Sequence, residues 1–229
     1  MASSGMDEAK KNKMCGEFLR ATTASSWTAD TMKLLLAVDG FDANALIGDS
    51  PPLYIASENN CQRREQVEIV KLLLAHDGID VNLMGGHYNK SPPLWIACKR
   101  RQTDIVKLLL AHDRMDVNLI GGTGRACSPL FIACKENQAD IVKLLVAHDD
   151  IDVNVKGSHD NHIGTPLHLA CVKGYVELVK LLLEVPGIDI LAEGKYRNHS
   201  RWVEGNCLDA AATPEIKKLL SEVRIDDAF

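Results

Sequence analysis

The chain has 229 residues; 46% are apolar, 25% charged and only 5% aromatic. That length allows one or two domains, with a core built from Leu, Ile, Val and Ala rather than from rings. A formal net charge of -5 speaks against a nucleic-acid partner, whose phosphates call for a basic surface, and no apolar run approaches the roughly 20 residues of a membrane span.

The N-terminal stretch 1–14 is polar, with Lys10, Lys11 and Lys13 and no apolar run behind them. It reads as a loose tail rather than a signal or transit segment. Glu17 to Ala21 and Trp27 to Ala37 then read as a helix pair whose first motif is worn away. The seven cysteines are odd in number and form no Cys-x-x-Cys pair, which fits a reducing compartment, cytoplasmic or nuclear.

From residue 34 onward a segment returns. It reads LLLAVDGFDAN from Leu34, LLLAHDGIDVN from Leu72, LLLAHDRMDVN from Leu108, LLVAHDDIDVN from Leu144 and LLLEVPGIDIL from Leu181. Those starting numbers are 38, 36, 36 and 37 residues apart. A second block travels with it: Pro52 to Ala56, Pro93 to Ala97, Pro129 to Ala133, Pro166 to Ala170 and a degenerate Cys207 to Ala211. Each unit therefore carries two short helices. The first opens on proline, with a hydroxyl cap at Ser128 and Thr165. The second is the run from Asp104 to Leu110 and its copies at Glu68, Asp140 and Glu177. Ile105, Val106, Leu108 and Leu109 cover more than one helical stripe, so each unit needs neighbours to bury it.

These residues resemble the ankyrin repeat. Thr165 to Ala170 followed by Gly174 to Leu183 is close to that family's consensus, and the endings at Asn82, Asn118 and Asn154 match it. The resemblance covers about residues 15–225. It implies an all-α solenoid of about six helix-turn-helix units, near 15–44, 50–82, 91–118, 128–154, 165–191 and 206–225, joined by lengthened β-hairpin fingers, with a short tail at 226–229. It also implies protein binding on the concave face and fingers. The period exceeds the family's roughly 33 residues. The excess lies in the fingers 83–91, 119–127, 155–164 and 192–205, and in an insertion around Cys61 to Gln66. Only one unit keeps both Thr165 and His168, whose side chains bond each other in the family. Tyr54, Trp95 and Phe131 replace that His elsewhere, so packing is expected to substitute.

Chemistry is expected to be sparse. Cys98, Cys134 and Cys171 share one repeat position and read as small buried hydrophobes; Cys127, in a finger, reads as more exposed. His76, His112 and His148 recur where a helix dipole favours positive charge. His159, Asp160 and His162 lack a third or fourth convincing metal ligand. Asp80, Asp116 and Asp152 repeat once per unit and do not converge, and no glycine-rich phosphate loop is present. The expectation is a non-enzymatic, monomeric chain with no metal and no cofactor, since polar solenoid caps allow a monomer.

What remains is surface. Ile55, Ile96, Ile132 and Leu169, with Glu58, Lys99, Arg100, Lys135, Glu136, Val172 and Lys173 three to four residues after their respective aliphatics, lie in each repeat on one helical face. For the aliphatics, partner contact and inter-repeat core are both open. The fingers add Tyr88, Arg125, Tyr196, Arg197 and Trp202; Trp202 either meets a partner or folds back over the last helix pair. The expected occupant is another protein, with neither nucleic acid nor membrane involved. Asn82, Asn118 and Asn154 also resemble sites modified by asparaginyl hydroxylases, which makes a regulatory substrate an alternative, as is an inhibitor that blocks an enzyme.

Overall fold

A computed structural model describes residues 27–59, 63–87, 90–122, 126–198 and 201–223. The expected N-terminal tail, the Glu17 to Ala21 helix, Tyr88, Arg125 and the 226–229 tail lie outside those residues. The chain divides into two compact units, 1–115 and 116–229.

The first unit contains α1 (Ala29–Leu36), α2 (Pro52–Glu58), α3 (Arg63–Leu74), α4 (Pro93–Lys99) and α5 (Thr103–Leu110). α2 packs on α4, while α1, α3 and α5 stack in a second row. Prolines at the first turn of α2 and α4 sit where a missing N–H leaves nothing unpaired. Arg63 to Glu65, within the expected insertion, are helical: α3 has 12 residues against 8 in α5. Ile105, Val106 and Leu109 are buried and Leu108 half-buried, the broad apolar face that stacking requires.

The second unit contains α6 (Pro129–Lys135), α7 (Ala139–Val146), β1 (Gly157–His159), β2 (His162–Gly164), α8 (Pro166–Lys173), α9 (Val176–Leu183), β3 (Gly194–Asn198), β4 (Arg201–Gly205), α10 (Cys207–Ala210) and α11 (Pro214–Glu222). α6, α8 and α10 form one row, and α7, α9 and α11 the other. The Ser128, Thr165 and Thr213 hydroxyls each accept a backbone N–H at 3.2 Å, capping α6, α8 and α11. α8 ends on Gly174 at φ 73; the equivalent Arg101 and Asn137 hold φ 61 and 52 with a side chain present, where the left-handed region is costly for residues other than Gly.

The fold departs from an all-α description in one place. The last two fingers join as a four-stranded antiparallel sheet in the order β1-β2-β3-β4, whereas the earlier ones make single bridges, Gly85–Ser91 and Gly121–Cys127. The cause is a flat seat. A Cβ on Gly194 would stand 2.5 Å from His168 Nδ1, and one on Gly164 2.9 Å from it, so only glycine lets both hairpins lie on the same ring. The same device recurs beneath other fingers, with Phe131 under Gly157 and Tyr54 under Gly85. These rings support fingers, which is the packing role expected of them.

Candidate functional site

On the first unit the end of α4 lies beside the end of α2. Arg100 Nη2 donates to Glu58 Oε1 at 3.0 Å, with both side chains about half exposed, and Lys99 Nζ sits 5.1 Å from the Trp95 ring centroid. The ammonium gains from the ring's negative face, while the exposed ion pair contributes little to stability. Ile55 is half-buried. Ile96 is 3% exposed and Ile132 0%, which corrects their place among contact candidates.

On the second unit a cleft of about 510 Å³ opens between the ends of α6 and α8 and the fingers. Its floor is Phe131, Leu169 and His162, all buried. Its rim holds Lys135, Val172, Lys173, Tyr196 and Arg197, five of the expected contact residues. Helical spacing brings Val172 and Lys173 to the end of α8, and the hairpin carries the other two over it. The Arg197 amide donates to the Asn161 carbonyl at 2.9 Å, which ties β3 to the β1–β2 turn. Lys135 Nζ donates to Asp160 at 3.2 Å and to Glu136 at 3.5 Å, and His159 Nδ1 lies 3.1 Å from Asp160.

Strand alternation settles Trp202. Tyr196 pairs with Val203 and both are half-buried; Arg197 pairs with Trp202 and both are exposed. Trp202 is 47% exposed and does not shield the last helix pair.

His162 and His168 form a buried pair, with Nε2 of one 3.3 Å from Nδ1 of the other. Burial, the neighbouring His168 and Lys173 pull the His162 pKa down to about 3. Burial lowers His168 as well; the Gly205 backbone opposes that and Lys156 adds to it. A charged imidazole in this seat would lose its hydration and face like charge. Thr165 Oγ1 accepts the His168 backbone N–H at 3.2 Å, and the ring turns to His162 rather than to the threonine hydroxyl expected from the resemblance.

The other sequence candidates are structural. Asn118 Nδ2 donates to the Asp150 carbonyl at 2.7 Å and its Oδ1 accepts the Asp152 N–H at 2.8 Å. Asn154 repeats this toward Gly187 and Asp189, and Asn82 Nδ2 donates to the Arg114 carbonyl at 2.8 Å. Cys98, Cys127, Cys134 and Cys171 are all buried, so Cys127 is not the exposed thiol its finger position suggested. Burial raises the Cys134 thiol well above its usual range, the opposite of activation. His112 and His148 use Nδ1 to accept the backbone N–H two residues on, each at 3.2 Å. His159 and His162 face each other across β1 and β2, yet among the described residues no group of three His, Cys, Asp or Glu side chains could hold a metal. Among those residues no helix is long and apolar enough to cross a membrane.

One repeated residue went unnoticed in the sequence. Gln66, Gln102 and Gln138 are buried at 6% each, and Gln102 Nε2 donates to the Ser57 and Asn59 carbonyls at 3.0 and 2.8 Å. It thereby satisfies acceptors at the end of the preceding first helix. The spacing of 36 between these numbers was the available signal.

A family model described as ankyrin repeats (3 copies) matches residues 66–157 and 94–193. No curated protein sequence matches the chain. Among solved structures, the ankyrin repeat protein EF0377 is similar at a TM-score of 0.68 and 24% identity, over 92% of this chain and 98% of that one. The ankyrin repeat domain of Bcl-3, described as a unique member of the IkappaB protein family, is similar at a TM-score of 0.62 and 20% identity, over 93% and 80%. At these identities the likeness is one of fold.

Proposed function

The chain belongs to the ankyrin-repeat family, and we propose that it is a non-enzymatic interaction module or scaffold that binds a protein through its first-helix ends and fingers. Ankyrin repeats are generally protein-interaction modules. The observation that carries the finer reading is the cleft in the second unit, where Lys135, Val172, Lys173, Tyr196 and Arg197 share one rim. Side chains there are not consumed by packing between repeats, and aromatic and Arg residues suit binding hot spots. Glu136 adjoins the cleft through Lys135, and Glu58, Lys99 and Arg100 form a candidate surface of their own on the first unit. The test is quantitative capture of proteins from native lysate by the wild-type chain and by a Val172→Asp/Tyr196→Ala variant that retains its circular dichroism. A partner retained by the first and lost by the second supports the reading. Equal retention removes this surface from it, and substrate turnover that persists through stringent purification would replace it.

The alternative of an asparaginyl hydroxylase substrate has weaker support. The side-chain amides of Asn118 and Asn154 are held at both ends, so an enzyme would have to open the turn first. An inhibitor reading remains the same module with an enzyme as its partner.

A further inference from the structure

The cleft is electropositive within an acidic chain, and its charges are unevenly used. Asp160 is the one carboxylate on its lining, and Lys135 and His159 already engage it. Lys173 and Arg197 are exposed on the same rim, and among the described residues no carboxylate is paired with either. The overall charge of -5 makes this a local concentration rather than a general property. The field is felt below the rim too, since Lys173 contributes to the lowered pKa of His162. Val172 and Tyr196, both half-buried, line the same cleft as the two cations. Asn161, exposed at the β1–β2 turn, offers an amide that can pair with a peptide backbone.

We infer that this cleft takes an acidic, extended segment of a partner protein, with carboxylates over Lys173 and Arg197 and an apolar residue on Val172 and Tyr196. The inference rests on the interaction-module reading and adds the chemistry of the partner. Opposite charge steers the encounter and fixes register, and an arginine accepts a carboxylate in bidentate geometry that lysine cannot offer.

The test is selection of random displayed peptides on the immobilised full-length chain, with the Lys173→Glu/Arg197→Glu variant as counter-target, followed by fluorescence anisotropy of the selected peptides. The expected winners are acidic, bind the variant about tenfold or more weakly, and tighten as salt is lowered. Should the variant lose its circular dichroism, Lys173→Gln/Arg197→Gln serves in its place and predicts a smaller loss. Winners that are neutral or basic, acidic winners that bind the variant equally well, or a preference for a single-stranded oligonucleotide would each overturn the inference while leaving a protein-binding role intact. A chain that enriches no peptide and retains no protein from lysate would take down both.

Discussion

Asn154 is bonded at both ends to the following repeat, its Oδ1 accepting the Asp189 N–H at 2.9 Å while its Nδ2 donates to the Gly187 carbonyl at 2.8 Å. Asn44 and Asn118 are placed in the same way, toward Asp80 and Gly78 and toward Asp152 and Asp150. In these three repeats the closing turn is thus cross-linked to the following repeat by one side-chain amide.

Replacing Asn154 by Ala removes both bonds and leaves an N–H and a carbonyl to partly accessible water. The expected cost is about 1–3 kcal/mol, read as a shift of the urea midpoint at unchanged slope. An unshifted midpoint would mean that solvent replaces the amide without loss.

Stability should fall on mild acidification. His162 and His168 have folded pKa values below the ordinary histidine value, so the unfolded chain takes up the extra proton. Their contribution is fully present above about pH 6.5 and is lost as pH falls from there toward 3, at about 1 kcal/mol per pH unit for one histidine. Urea titrations between pH 6.5 and 5, before carboxylates protonate, isolate the effect. His162→Gln should flatten that slope even though it lowers stability throughout; an unaltered slope would place the titration elsewhere.

Gly194→Ala drives a methyl group into the His168 ring. The expected result is a loss of about 1–3 kcal/mol, with faster amide exchange concentrated in β3 and β4. Wild-type exchange rates there would show that the hairpin can shift without penalty.

Arg100→Ala breaks the exposed pair with Glu58 and should change stability by less than about 1 kcal/mol. A larger loss in thermal unfolding would mean that Arg100 also packs.

The repeats were legible because their period is written in the chain: the same eleven-residue segment and the same proline-led block recur in register. The sheet was not, since joining two hairpins depends on what lies beneath them. Nothing in the sequence marks Gly164 and Gly194 as resting on one ring, yet His168 lies under both. Ile96 and Ile132 were ambiguous because spacing names a helical face without telling whether a neighbour covers it. Trp202 became decidable only with the β3–β4 register, which puts Tyr196 inward and Trp202 outward. The cleft joins residues from positions 131 to 197, and no local motif spans that separation.

The role of the first-helix ends and fingers is tested most directly by amide hydrogen exchange on the chain with and without a captured protein partner. The account predicts new protection at the ends of α6 and α8, through the β1–β2 turn and along β3, with the exposed sides of α7 and α9 unaltered. Protection confined to α7 and α9, with β3 and the end of α8 exchanging as in the free chain, would contradict it.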